Sequence, residues 1–136
     1  MRLALIAALV FGFSASARAQ NCAENFEQDG VPLVTAITYK SWQVFPGVTP
    51  AQALDRLARA TLAEGFLGMR VDKQYGAITA HQETSGSGRM QTLRVVARKA
   101  GNGTRVDAVF QVQAGQVAAA EAVRKGICNV VRAARG

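Results

Sequence analysis

The sequence predicts an α+β domain with the element order β-α-β-β-β-β-α, in which two helices pack on one face of an antiparallel sheet. Three observations support this class. A capped amphipathic helix follows the first strand, four segments in the middle of the chain alternate apolar and polar residues, and the C-terminal stretch repeats apolar residues at helical spacing. Short connections between the four alternating segments predict an antiparallel meander whose strands each have one apolar face.

The first strand and the first helix are predicted from residue types. Residues 33–45 are rich in β-branched and aromatic side chains, which favour a strand. Thr49 suits an N-cap, Pro50 fits the first helical position, and Gln52 completes a capping box. Gly65 supplies the left-handed residue that ends a helix. The apolar positions of this helix are Leu54, Leu57, Ala58 and Leu62.

The next four strands are predicted from strict alternation. "LGMRVDK" and "AITAHQE" form one hairpin, and "AGNG" is a strong turn between "RMQTLRVVARK" and "TRVDAVFQVQ". In the second hairpin Lys99 is placed opposite Thr104. The predicted inward residues are Leu67, Met69, Val71, Ile78, Ala80, Leu93, Val95, Ala97, Val106, Ala108, Phe110 and Val112.

The second helix is predicted from about Gln116 to Arg132. Its apolar residues at helical spacing are Ala120, Val123, Ile127, Val130 and Ala134. Gly126 lies inside this helix, and we expect it to allow a close approach of the N-terminal segment beside Cys128. The first strand is expected at an edge of the sheet, although the sequence does not specify which edge.

The N-terminus has the layout of a secretory signal peptide. Arg2 is followed by an apolar run over residues 3–13 and by the cleavage signal Ala17-Arg18-Ala19. The run is shorter than the roughly 20 residues of a transmembrane anchor. We therefore predict a signal peptide at 1–19, an extended segment at 20–32 and a single domain at 33–136. Removal of the signal peptide lowers the net charge from +7 to +5.

The two cysteines, Cys22 and Cys128, predict a disulfide, because an exported protein folds in an oxidising compartment. A redox or metal-binding thiol is the alternative. The sequence has no CxxC motif and only one histidine to support that role. We expect no metal and no cofactor, and no transmembrane segment in the mature chain.

The block "FPGVTPAQALDRLARATLAEGFLGMRVDKQYGAITAHQ" resembles a module of small bacterial envelope proteins and lipoproteins, with the helix-grip-like domains of the BamC lipoprotein as a distant comparison. The resemblance covers residues 45–82 and implies a fold without implying catalytic residues. This chain departs from the lipoproteins because no lipobox precedes Cys22. The matching positions are Pro46, Val48, Ala53, Leu54, Gly65, Phe66, Gly76, Ile78 and Ala80.

The only histidine, His81, is predicted to point outward, because Ile78 and Ala80 face the core. Catalysis would need a partner within hydrogen-bond reach. The nearest polar residues in sequence are Glu83, Ser85 and Ser87, and the chain contains no nucleophile elbow, metal cluster or phosphate-binding loop. We therefore predict a solvated histidine and a protein without enzymatic activity.

The outward face of the last two strands is the candidate interaction face, formed by Arg94, Val96, Arg98, Arg105 and Val109. The predicted register places Arg98 opposite Arg105, Arg94 opposite Val109 and Val96 opposite Asp107. One interpretation is a solvated face on which Asp107 balances two arginines. The other is a binding face, since arginines beside apolar residues are common in interfaces.

These features predict an exported, non-enzymatic binding or assembly-accessory domain of the bacterial cell envelope. Its expected location is the periplasm, with secretion beyond the outer membrane as an alternative. The expected partner is an envelope protein or an anionic envelope component, and export argues against nucleic acid. The sequence leaves the oligomeric state and the partner's identity open. The alternative function is a carrier of a lipid or other apolar ligand. The favoured role of four aromatics is to fill the core, and the alternative is that they line a ligand cavity; they are Trp42, Phe45, Phe66 and Phe110.

Overall fold

The computed structural model of the chain describes residues 21–83 and 89–136. The predicted signal peptide at 1–19 and the connection "TSGSG" at 84–88 lie outside the described residues. The described elements are β1 (Glu27–Asp29), β2 (Ile37–Pro46), α1 (Pro50–Ala63), β3 (Leu67–Asp72), β4 (Ala77–Glu83), β5 (Met90–Ala100), β6 (Gly103–Val112), α2 (Ala120–Arg132) and a 3-10 turn (Ala133–Arg135). None of the helices in these two ranges is long and apolar enough to cross a membrane.

The described strands form one six-stranded antiparallel sheet in the order β1-β2-β6-β5-β4-β3. The predicted α+β class and order of strands and helices are confirmed. The long first strand begins at Ile37 rather than at residue 33, and it joins the meander at β6. Val31 donates its N–H to the Thr35 hydroxyl at 2.8 Å, so residues 31–35 form a turn. The short β1 then pairs outside β2 and becomes the edge strand.

The core lies between the two helices and one face of the sheet. Its large, fully buried side chains include Ile37, Tyr39, Phe45 and Leu57. The hydroxyl of Tyr39 donates to the carbonyl of Ala118 at 3.0 Å, which ties β2 to the segment before α2. Burial at this position also raises the pKa of Tyr39.

The predicted cysteine pair is bonded in the structure. A disulfide joins Cys22 to Cys128, and both residues are buried. Ser41 on β2 donates its hydroxyl to the carbonyl of Cys22, and Cys22 donates its N–H to the Gln43 side chain at 3.1 Å. The N-terminal segment is therefore held both by the bridge to α2 and by hydrogen bonds to β2.

Three residues predicted to face the core are exposed. One of them, Val71, is 39% exposed because it lies on β3, an edge strand of the sheet. Leu62 is 54% exposed, and the buried position on that side of α1 is Thr61, whose hydroxyl donates to the carbonyl of Leu57 at 2.8 Å. Leu67 is 64% exposed because β3 contains a bulge between Leu67 and Arg70. An extra residue in one strand reverses the side-chain alternation, so Leu67 points away from the helices.

The second helix begins at Ala120, four residues later than predicted. Its N-cap is Ala119, which makes no side-chain cap hydrogen bond. Gly126 does not approach the N-terminal segment. A Cβ built there would lie 3.8 Å from the Glu64 carboxylate beyond the end of α1, so the expected close approach is wrong.

Candidate functional site

The sheet surface opposite the helices, here called the outer face, carries the predicted interaction residues. Val96 and Val109 are half-buried on it, whereas Arg94 and Arg98 are exposed. The cross-strand pairs match the predicted register, with Arg98 opposite Arg105, Arg94 opposite Val109 and Val96 opposite Asp107. The arginines differ in their surroundings.

Arg105 is held by two neighbours on the outer face. It donates from Nη2 to the carboxylate of Asp107 at 2.8 Å, and from Nε to both carboxylate oxygens at 3.0 and 3.1 Å. Its guanidinium also lies 4.1 Å from the ring centroid of Trp42, which is a cation–π contact. Because its charge is balanced and its flat face is covered, Arg105 holds the outer face together and has little capacity left for a ligand.

Arg98 contacts the same carboxylate more loosely. Its Nε lies 3.5 Å from Asp107, and its side chain is 62% exposed. Exposed ion pairs of this kind contribute little to stability. Asp107 therefore balances both arginines, as the solvated-face interpretation expected, and the group of three residues retains one positive charge.

Arg94 and Arg70 form a different arrangement around β4. Thr79 lies opposite Arg94 on one side and opposite Arg70 on the other. Neighbouring strands are about 4.8 Å apart, so the two arginines lie about 10 Å apart across the sheet. Both are exposed, and within the described ranges neither forms an ion pair. Their flexible side chains can reach a single anion above Thr79.

These two arginines lie at an open depression of about 750 Å³ that we call the basic depression. Its one carboxylate, Asp72, accepts the backbone N–H groups of Gln74 and Tyr75 at 2.9 and 3.1 Å and so closes the β3–β4 turn. Three cationic side chains therefore surround a carboxylate that already has backbone partners. The lining residues are Arg70, Val71, Asp72, Lys73, Tyr75, Ala77, Thr79 and Arg94.

Three residues important for this face were missed from the sequence. Alternation already placed Arg70 outward, and the predicted meander paired β4 with β5. The position of Arg70 relative to Arg94 depends on the register of that pair, which the sequence did not specify. Lys73 lies in the β3–β4 turn, where alternation gives no direction. Trp42 could be placed next to Asp107 only once β2 was known to pair with β6.

His81 lies on the outer face, as predicted, and is half-buried. It does have a partner, because its Nδ1 is 3.3 Å from the Thr92 hydroxyl on the neighbouring strand. A threonine hydroxyl does not orient an imidazole as a carboxylate does in a catalytic triad. Within residues 21–83 and 89–136 no cluster of three or more His, Cys, Asp or Glu residues could hold a metal ion.

The aromatic residues expected to line one cavity are separated by the sheet. Trp42 lies on the outer face under Arg105, and Phe45 is fully packed in the core. Only Phe66 and Phe110 line a cleft, of about 240 Å³, beside α2, with ring centroids 6.0 Å apart in an edge-to-face contact. Phe45, Phe66 and Phe110 therefore fill the core, as the favoured interpretation predicted, and the alternative of one cavity lined by all four aromatics is wrong.

A larger groove of about 810 Å³ lies between α1 and the β3–β4 turn. It is separate from the cleft beside α2, and it meets the basic depression at Lys73 and Tyr75.

Comparison of the chain with protein-family models and with curated protein sequences finds no match.

Proposed function

We propose that the protein is an exported, non-enzymatic binding domain of the bacterial cell envelope and that its outer face docks on an anionic surface of its partner. The observation that carries this proposal is the position of Arg70 and Arg94 on either side of Thr79, both exposed and without ion-pair partners among the described residues. Arg105 and Arg98 flank this contact region, and Asp107 balances their charge in part.

The chemistry of these side chains favours a carboxylate or phosphate partner. A guanidinium presents a planar set of donors that matches such groups, and it loses less hydration on docking than an ammonium does. Val109 and Val96 lie next to the arginines in the register and add apolar contact area. An anionic surface with apolar patches would therefore be complementary to the outer face.

The location in the envelope rests on the N-terminal sequence, and the buried disulfide supports it. A bridge between residues far apart in the chain is typical of an oxidising compartment. In that compartment the basic character of the chain is better explained by anionic proteins, polymers or lipid headgroups than by nucleic acid.

Photo-crosslinking in cells tests the proposal. A photoreactive phenylalanine derivative replaces Thr79 in the basic depression, and in a matched strain it replaces Lys125 on the exposed side of α2. We expect a discrete crosslinked product from position 79 only, and its loss in an Arg70→Gln/Arg94→Gln background. Equal products from both positions, or a product that survives removal of both arginines, would count against the outer face.

A further inference from the structure

We infer that the groove between α1 and the β3–β4 turn binds a single acyl chain with an anionic headgroup. This groove adjoins the basic depression and shares Lys73 and Tyr75 with it, but Arg70, Thr79 and Arg94 do not line it. It would supply a ligand-binding activity in addition to docking. Its volume of about 810 Å³ falls within the range of small-molecule sites, which is roughly 300–1,000 Å³. The separate cleft beside α2, of about 240 Å³, falls below that range.

The floor of the groove is apolar and built from small side chains. Leu54 and Ala97 are buried beneath it, and Ala58 is half-buried. Ala51 and Ala58 are two turns apart on α1, about 10 Å along the helix axis. Because alanine leaves space that a larger residue would fill, the helix and the sheet are separated here by an open apolar channel.

The rim of the groove at the sheet is basic. Lys73, Lys99 and Arg98 are exposed along it. The only carboxylate in the lining, Asp55, pairs with Arg59 one turn along α1. Within the described ranges neither lysine forms an ion pair. The groove therefore offers an apolar channel with unbalanced positive charge along one side.

This combination identifies the chemical class of the ligand. A neutral apolar molecule would leave the lysines without a counter-ion, and a small inorganic anion would leave the channel empty. An acyl chain with a carboxylate or phosphate group would fill the apolar channel and also balance the charge of the lysines. The chain would lie over Leu54 and Ala58. The headgroup would lie between Lys73 and Lys99. The exposed ring of Tyr75 lies at the rim, where it can cover the chain.

A titration of the isotope-labelled mature protein followed by NMR tests this inference. The probes are dodecanoate and dodecyl phosphate, each below its micellar concentration, and dodecanol as the neutral analogue. We expect both anions to shift amide signals in the first two turns of α1 and at residues 73–76 and 97–99. The ratio of the two dissociation constants distinguishes a preference for a carboxylate headgroup from a preference for a phosphate headgroup. We expect dodecanol to bind at least tenfold more weakly.

Two variants and two controls make the outcome decisive. Lys99→Gln should weaken dodecanoate binding about three- to tenfold, because it removes one positive charge from the rim. Ala51→Trp should abolish the binding, because the larger side chain fills the channel. Lys125→Gln, on the exposed side of α2, is the control and should leave the binding unchanged. The Arg70→Gln/Arg94→Gln variant should bind dodecanoate as the wild type does, because neither arginine lines the groove. Dodecanoate binding and docking of the outer face can therefore fail independently of each other. Absence of shifts, shifts confined to other surfaces, or equal binding of dodecanol would overturn the inference.

Discussion

Replacement of Arg105 by alanine should destabilise the protein, whereas the same replacement of Arg94 should not. Arg105→Ala removes a partly buried ion pair with Asp107, which contributes about 0.5–1 kcal/mol, and a cation–π contact with Trp42 of similar size. Relief of the like charge of Arg98 opposite it restores a few tenths of a kcal/mol. The expected net loss is about 1–1.5 kcal/mol.

The measurement is the free energy of unfolding from urea titrations of the two variants and the wild type. Arg105→Lys is the matched control, because it keeps the charge but cannot reproduce the planar contacts with the carboxylate and the ring. We expect it to lose at least half of the stability that Arg105→Ala loses. Equal losses for Arg94→Ala and Arg105→Ala would refute the distinction between a structural and a free arginine.

Three further predictions concern the fold. Replacing Cys22 and Cys128 together by alanine should cost about 4–5 kcal/mol in urea unfolding, because the bridge closes a separation of 106 residues, and the unreduced wild type should show no free thiol. Gly103→Ala should cost about 1–3 kcal/mol, since its Cβ would clash with the carbonyl oxygen of Phe45 on β2. Gly126→Ala, whose Cβ would have its nearest contact at 3.8 Å, should stabilise the protein by up to about 1 kcal/mol. Burial raises the pKa of Tyr39 above its ordinary value of 10.0, so the neutral phenol should stabilise the fold fully below pH 10.0. This stabilisation should decline as the pH rises through the pKa that Tyr39 has in the folded protein. Tyr39→Phe should remove the decline, which is measured as the free energy of unfolding at alkaline pH.

The sequence predicted the fold well because its signals are local. The capping box of α1 forms as expected, with the Thr49 hydroxyl accepting from the N–H of Gln52 and the Gln52 side chain accepting from the N–H of Thr49, both at 3.2 Å. The "AGNG" turn fixed the register of β5 and β6. The bulge at Leu67 was missed, because alternation alone gives no sign of an inserted residue.

The candidate site was predicted only in part, because it depends on contacts between strands that are not joined by a tight turn. Arg94 was identified, but the pairing that brings Arg70 beside it crosses β4. Arg105 was assigned to the candidate interaction face, and its stacking on Trp42 was missed because that contact requires the pairing of β2 with β6, about 60 residues apart in the sequence. The composition indicated that the outer face is positively charged. Which of its arginines are free to bind a partner depends on the long-range pairing of the strands.

Salt-dependent binding to an envelope fraction tests the central claim most directly. The mature protein, the Arg70→Gln/Arg94→Gln variant and a Lys125→Gln/Arg135→Gln control of equal net charge are compared for retention on isolated envelopes at increasing ionic strength. We predict that the wild type and the control bind at low salt and are released as the Debye length shortens, while the outer-face variant is not retained. Retention of the outer-face variant equal to that of the control would contradict docking through Arg70 and Arg94.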